Sequence, residues 1–175
     1  RGENQRLKYY FDISDTHETE FSKPVPMWEY KAEYETEVIS VLEDNFGELE
    51  RKDDVTNAVF SAAENMSMDN IPDYISELTN YAKADSFLED LGDDAIEKEL
   101  RMLVQNSVAY MMHTRLGVET SNLFDREDFQ GIVNFNTPEA LSVLGEATSD
   151  IAEMGLTEIG KTVLTLQREN RIIAE

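Results

Sequence analysis

The chain has no cysteine. That excludes disulfides, thiolate nucleophiles and cysteine-ligated zinc, and it fits a cytoplasmic protein. Histidine is nearly as scarce, with only His17 and His113. Neither has a second histidine four residues away, so the HExxH pair that holds zinc on one helix face is missing. Positive charge is thin, with 15 Lys and Arg against 37 Asp and Glu, for a net charge of −22. Such a chain repels nucleic-acid backbones unless its cations are grouped, and direct binding of nucleic acid is not expected. Part of them is grouped, with Arg1, Arg6 and Lys8 at one end and Lys161, Arg168 and Arg171 at the other. No apolar run approaches a membrane span, and no secretory leader is seen. There is no GxxxxGK[ST] loop and no GxSxG elbow. The first residue is Arg1, and the expectation is that the chain is part of a longer protein.

What is present is a helical grammar. A length of 175 residues with 41% hydrophobic content supports one domain with a real core. The longest uninterrupted pattern is residues 94–117. Ile96, Leu100, Leu103, Val104, Ser107, Val108, Met111 and Met112 form a broad apolar stripe at helical spacing. Asp93 and Asp94 stand at its start, His113 and Arg115 in its last turn, and Gly117 after it. A helix so apolar on one side needs cover from several others, so it is expected to be the central one.

Other segments repeat the pattern. Residues 33–46 place Tyr34, Val38, Val41, Leu42 and Phe46 on one side, with Gly47 as the stop. Residues 53–66 predict a second helix capped by Asp53 or Asp54, with Val55, Val59, Phe60 and Ala63 inward. Residues 69–81 predict a third, with Pro72 in its first turn and Tyr74, Ile75, Leu78 and Tyr81 inward. Phe87, Leu88 and Leu91 form a small apolar turn. A short turn after Asp125 is expected to bury Phe129, Ile132 and Val133. Thr137 and Pro138 mark a helix start, and the stretch to residue 170 predicts two helices, breaking near 147–150 with Ser149 or Asp150 as cap. Gly145, Gly155 and Gly160 punctuate it and permit close helix crossings. Residues 168–175 are expected to fray.

The N-terminal part differs. Residues 8–13, KYYFDI, predict a strand, and 18–27, with Pro24 and Pro26, an extended connector. Trp28 and Tyr30 anchor it to the body. The expected fold class is therefore mainly α: six or seven helices bundled around residues 94–117, with an N-terminal β-strand or extended arm. The division is 1–29 for the strand and arm and 30–175 for a single helical domain.

No constellation of residues carries chemistry. His113 reads as a helix-end cation or a packed side chain, and His17 as a loop residue. The pairs Asp12 with Asp15, Asp53 with Asp54, and Asp93 with Asp94 read as turn and cap residues. Asp125, Glu127 and Asp128 lack the glycine and final glutamate of a calcium loop. Met102, Met111, Met112 and Met154 read as core filler. Trp28, Tyr30 and Tyr34 would suit a base-stacking platform, but Glu29, Glu33 and Glu35 beside them oppose it. No catalytic, cofactor-binding or metal-ligating residue is assigned, and no cofactor is expected.

Two segments carry a resemblance. LKYYFDISDT, residues 7–16, resembles the strand that closes the single-stranded-DNA-binding part of ArdC-type antirestriction proteins; LtrC-like proteins of conjugative elements carry a similar phrase, VFDVSDT. SVAYMMHTRLGV, residues 107–118, resembles a helix of the same proteins reading EAESVAYVVCxxxGLD, whose glutamates belong to a zinc peptidase half of the ImmA/IrrE kind. Residues 147–167 also resemble mobile-element proteins. Where that helix carries acids, this chain has Val104 and Asn106, and positions 30–94 hold no HExxH. The resemblance thus implies a degenerate, metal-free relative that keeps the helical scaffold. Its implied function is a non-enzymatic scaffold or interaction domain of a larger mobile-element protein, related to antirestriction or replication factors. The implied partner is a protein or another domain of the parent. The alternatives are an acidic DNA mimic that inhibits a restriction or nuclease enzyme, and a residual zinc metallopeptidase.

Overall fold

Every regular element among the described residues is helical. The computed structural model describes residues 17, 19–21 and 27–174. The strand expected at 8–13 and most of the connector at 18–27 lie outside the described residues.

A 3-10 turn, Ala32–Tyr34, leads into α1, Glu35–Phe46. Gly47 follows at φ 86°, where a side chain would be strained, and its N–H reaches back to the Glu43 carbonyl. The end of α1 is then closed from another helix. Asn65 donates its side-chain amide to the Phe46 and Glu48 carbonyls, both at 3.0 Å. This satisfies carbonyls that have no partner inside α1.

The second helix, α2, is Val55–Glu77. Asp54 caps it, its carboxylate accepting from the Asn57 N–H at 2.7 Å. Two helices were expected here, and one is found. Met66, Ser67 and Ile71 are buried, so core packing carries the helix past Pro72 although that residue supplies no N–H. A π turn, Leu78–Ala82, extends α2 and buries Leu78 and Ala82. Tyr81, expected inward, is exposed.

The third helix, α3, is Asp93–Leu116, matching the expected 94–117. Gly117 takes the left-handed conformation at φ 75°, and the N–H of Val118 bonds the His113 carbonyl, closing the helix end. The 3-10 segment Glu127–Asn134 departs from expectation. Ile132 and Val133 are exposed, and Phe135 is the residue fully buried there. A 3-10 segment repeats every three residues, which turns side chains spaced for an α-helix away from the core.

The last helix, α4, is Pro138–Ala174, 37 residues without interruption. Thr137 caps it by accepting the Ala140 N–H at 3.3 Å. The expected break near 147–150 is absent, and the helix runs through the tail expected to fray. Ala147, Ile151 and Ala152 are all buried, which holds the chain helical where capping residues would have allowed a stop. Among the described residues no helix is long and apolar enough to cross a membrane.

Packing gives α3 two flanks, α2 and α4. Yet α2 and α4 are the helices that meet all the others, and α1 rests on both of them. Large buried side chains in the core include Leu42, Met66, Ile71, Leu100, Met112, Ile151 and Ile159.

Candidate functional site

The two histidines have separate fates. His17 is exposed and belongs to no helix. His113 has no exposed surface and belongs to the core. Its Nδ1 lies 2.7 Å from the Ala109 carbonyl oxygen and its Nε2 3.1 Å from that of Thr56. A neutral imidazole has one N–H to donate, and an imidazolium has two. Burial pushes the pKa of His113 below its ordinary value, against the pull of the two carbonyls and of Asp54. Phe60 and Phe124 lie beside its ring, at 4.7 and 5.9 Å between centroids. The side chain therefore ties α3 to the first turn of α2 and faces no solvent.

The acids singled out in the sequence are spent on local structure where they are described. Asp53 accepts from the Asn57 side chain, and Asp54 caps α2. Asp93 and Asp94 occupy the first turn of α3, whose N-cap is Gly92. Asp125 and Asp128 bond backbone N–H groups within their own turn. Asp12 and Asp15 lie outside the described residues. Among the described residues no group of three or more histidine and carboxylate side chains is gathered for a metal ion.

The aromatic trio is dispersed inward. Trp28 and Tyr30 are half-buried against the core and Tyr34 is buried. Burial, with Glu35 and Asp54 nearby, raises the Tyr30 pKa. Trp28 packs against Gly160, where an added Cβ would come within 2.7 Å of the indole nitrogen. The Arg115 guanidinium covers the indole, 3.6 Å from the ring centroid. Gln167 donates to the Glu29 carbonyl at 3.1 Å. These contacts strap residues 28–29 across the last turn of α3 and the C-terminal half of α4.

The surface features that remain follow α4. One open groove of about 570 Å3 is lined by Trp28, Met111, Ser149, Glu153, Leu156, Thr157, Gly160, Lys161 and Leu164. A second, of about 520 Å3, is lined by Asn45, Phe46, Asp150, Met154 and Glu158, and shares Glu153 and Thr157. The two grooves flank one ridge of α4. Met111 and Met154, expected in the core, are each 40% exposed, one in each groove, whereas Met112 is buried. Asp150 is held by the Tyr74 hydroxyl, which donates to its carboxylate at 3.0 Å. Burial, then Asp150, then Glu146 and Asp73, push the Tyr74 pKa up to about 12.

The sequence carried a signal for this ridge. Glu146, Asp150, Glu153 and Thr157 recur at i, i+4, i+7 and i+11, which puts them on one helix face. A break at residues 147–150 would split this face between two helices, and the unbroken α4 joins it. No protein-family model, curated protein or solved structure matches this chain.

Proposed function

We propose that this chain is a non-enzymatic helical scaffold and interaction domain of a larger cytoplasmic mobile-element protein related to antirestriction or replication factors. It binds a protein partner, or another domain of its parent, through its helical surface. One observation carries the interaction reading: two adjoining grooves run along α4, and the exposed Met111 and Met154 open one into each. Exposed apolar surface rimmed by polar groups is the mark of a protein-binding face. The buried position of His113 between two carbonyls agrees with a structural use of that residue. The mobile-element assignment rests on the two short resemblances described above. Affinity capture from cells carrying the element tests the function, with the full chain as bait and Met111→Glu/Met154→Glu as control. A partner held by the wild type and lost by the variant supports it. Stoichiometric zinc together with peptide hydrolysis would favour the peptidase alternative.

A second reading, the DNA mimic, has one observation in its favour. Glu139, Glu146, Asp150 and Glu153 form a carboxylate stripe on one face of α4, and none of them belongs to an ion pair among the described residues. It requires inhibition of a restriction or nuclease enzyme that fades as salt rises.

A further inference from the structure

We propose that the two grooves flanking the Glu153–Thr157 ridge bind a cationic amphipathic helix of a partner protein, with apolar residues on one face and Lys or Arg on the other. This rests on the interaction-domain reading and names the partner's chemistry.

Shape comes first. The lining of the larger groove runs along α4 from Ser149 to Leu164. At 1.5 Å per residue that is a track of roughly 22 Å, the length of about four helical turns. Helices pack by laying side-chain ridges into such grooves. Met111 and Met154 supply flexible thioethers that adapt to apolar residues of different shape.

Charge then selects the occupant. Asp150, Glu153 and Glu158 line or edge the grooves, and the cation there, Lys161, already pairs with Glu158 at 2.6 Å. Asn45 and Phe46 bring the C-terminal end of α1 to the second groove, and no basic residue stands in the last turn of that helix. A second copy of the chain would bring another net charge of −22 to the same face, and that repulsion opposes self-association. A basic helix meets both demands: its apolar face fills the grooves and its cations reach the acids on their rims.

The test uses the full chain and a fluorescein-labelled synthetic helix of leucine on one face and lysine on the other, followed by fluorescence anisotropy. Two control peptides accompany it, one scrambled at the same composition and one with glutamate for lysine. The amphipathic lysine peptide is expected to bind, and both controls to bind at least about tenfold more weakly. Asp150→Lys/Glu153→Lys should weaken binding about tenfold, while Asp90→Lys/Glu97→Lys, with the same change in net charge, leaves it within about twofold. Met111→Glu/Met154→Glu should also weaken it, although it makes the protein more acidic. Circular dichroism confirms that each variant is folded. Equal binding of the scrambled peptide, or equal loss in both charge-reversal variants, overturns the proposal. So does sedimentation showing a dimer that Met111→Glu/Met154→Glu dissociates, because a second copy would then be the occupant. A cellular partner still captured by Met111→Glu/Met154→Glu overturns the groove and leaves the interaction domain standing. Failure of both capture and peptide binding removes the two readings together.

Discussion

Arg115 lies 3.6 Å over the Trp28 ring and donates through Nη2 to the Trp28 carbonyl oxygen at 2.8 Å. One side chain from the last turn of α3 thus holds both the ring and the backbone of a residue that precedes the first helix. The indole closes on Gly160 of α4, so three distant parts of the chain meet at one point.

Breaking this contact should loosen the strap without unfolding the bundle. Arg115→Ala is expected to cost about 1–2 kcal/mol, from a partly buried cation–π contact and a hydrogen bond to a charged donor. Gly160→Val should displace the indole. Trp28 is the only tryptophan, so its fluorescence reports the site directly. Emission shifted to longer wavelength in both variants, with helicity retained by circular dichroism, is the expected result.

His113 should make stability depend on pH in a defined window. Its folded pKa is lowered by burial, so the unfolded chain binds the proton more readily. The contribution is fully present above the unfolded value of about 6.5 and is lost as pH falls below it, down to the folded value. Urea unfolding of wild type and His113→Leu at several pH values checks this. The variant's stability relative to wild type should improve as pH drops through that window. Taking the difference removes the effect of the carboxylates, which titrate in both proteins.

Ser67 is fully buried and its hydroxyl has no hydrogen-bond partner among the described residues. Ser67→Ala removes an unsatisfied group and adds helix propensity, so it should stabilise by about 1 kcal/mol. For a chain of this size that corresponds to a rise in Tm of about 2–4 °C, readable by calorimetry.

Gly145 and Gly160 of α4 should respond differently to substitution. Among the described residues, no atom beyond the helix's own nearby backbone lies within 4 Å of a Cβ built on Gly145, so Gly145→Ala should stabilise by about 1 kcal/mol. At Gly160 the same methyl meets the Trp28 indole at 2.7 Å, and Gly160→Ala should destabilise. Denaturation midpoints of the two alanine variants are expected to move in opposite directions.

Tyr74 should titrate late. Its phenol is pushed up to about 12, first by burial and next by the bond to Asp150. Asp150→Asn keeps a hydrogen-bond acceptor and removes the charge, so the phenol should ionise at lower pH. Ultraviolet difference titration of the two proteins measures this, with Tyr74→Phe assigning the signal among seven tyrosines.

Local sequence decided how the helices begin and end. Asp54, Thr137, Gly47 and Gly117 stand where caps and stops were expected, because each acts on backbone groups within a few residues of it, although Asn65 of α2 completes the end of α1. The apolar spacing of α3 was equally legible, since one face of a helix can be read without knowing what covers it. Tertiary structure decided the rest. Whether Pro72 or Ala147 interrupts a helix depends on the core that Ile71 and Ile151 enter, and burial there outweighed the local signals. The same dependence separates Met112 in the core from Met111 in a groove, and Gly160 under an indole from Gly145 in open space. Adjacent or chemically identical residues differ in these cases only by what the folded chain brings against them, and no local pattern carries that information.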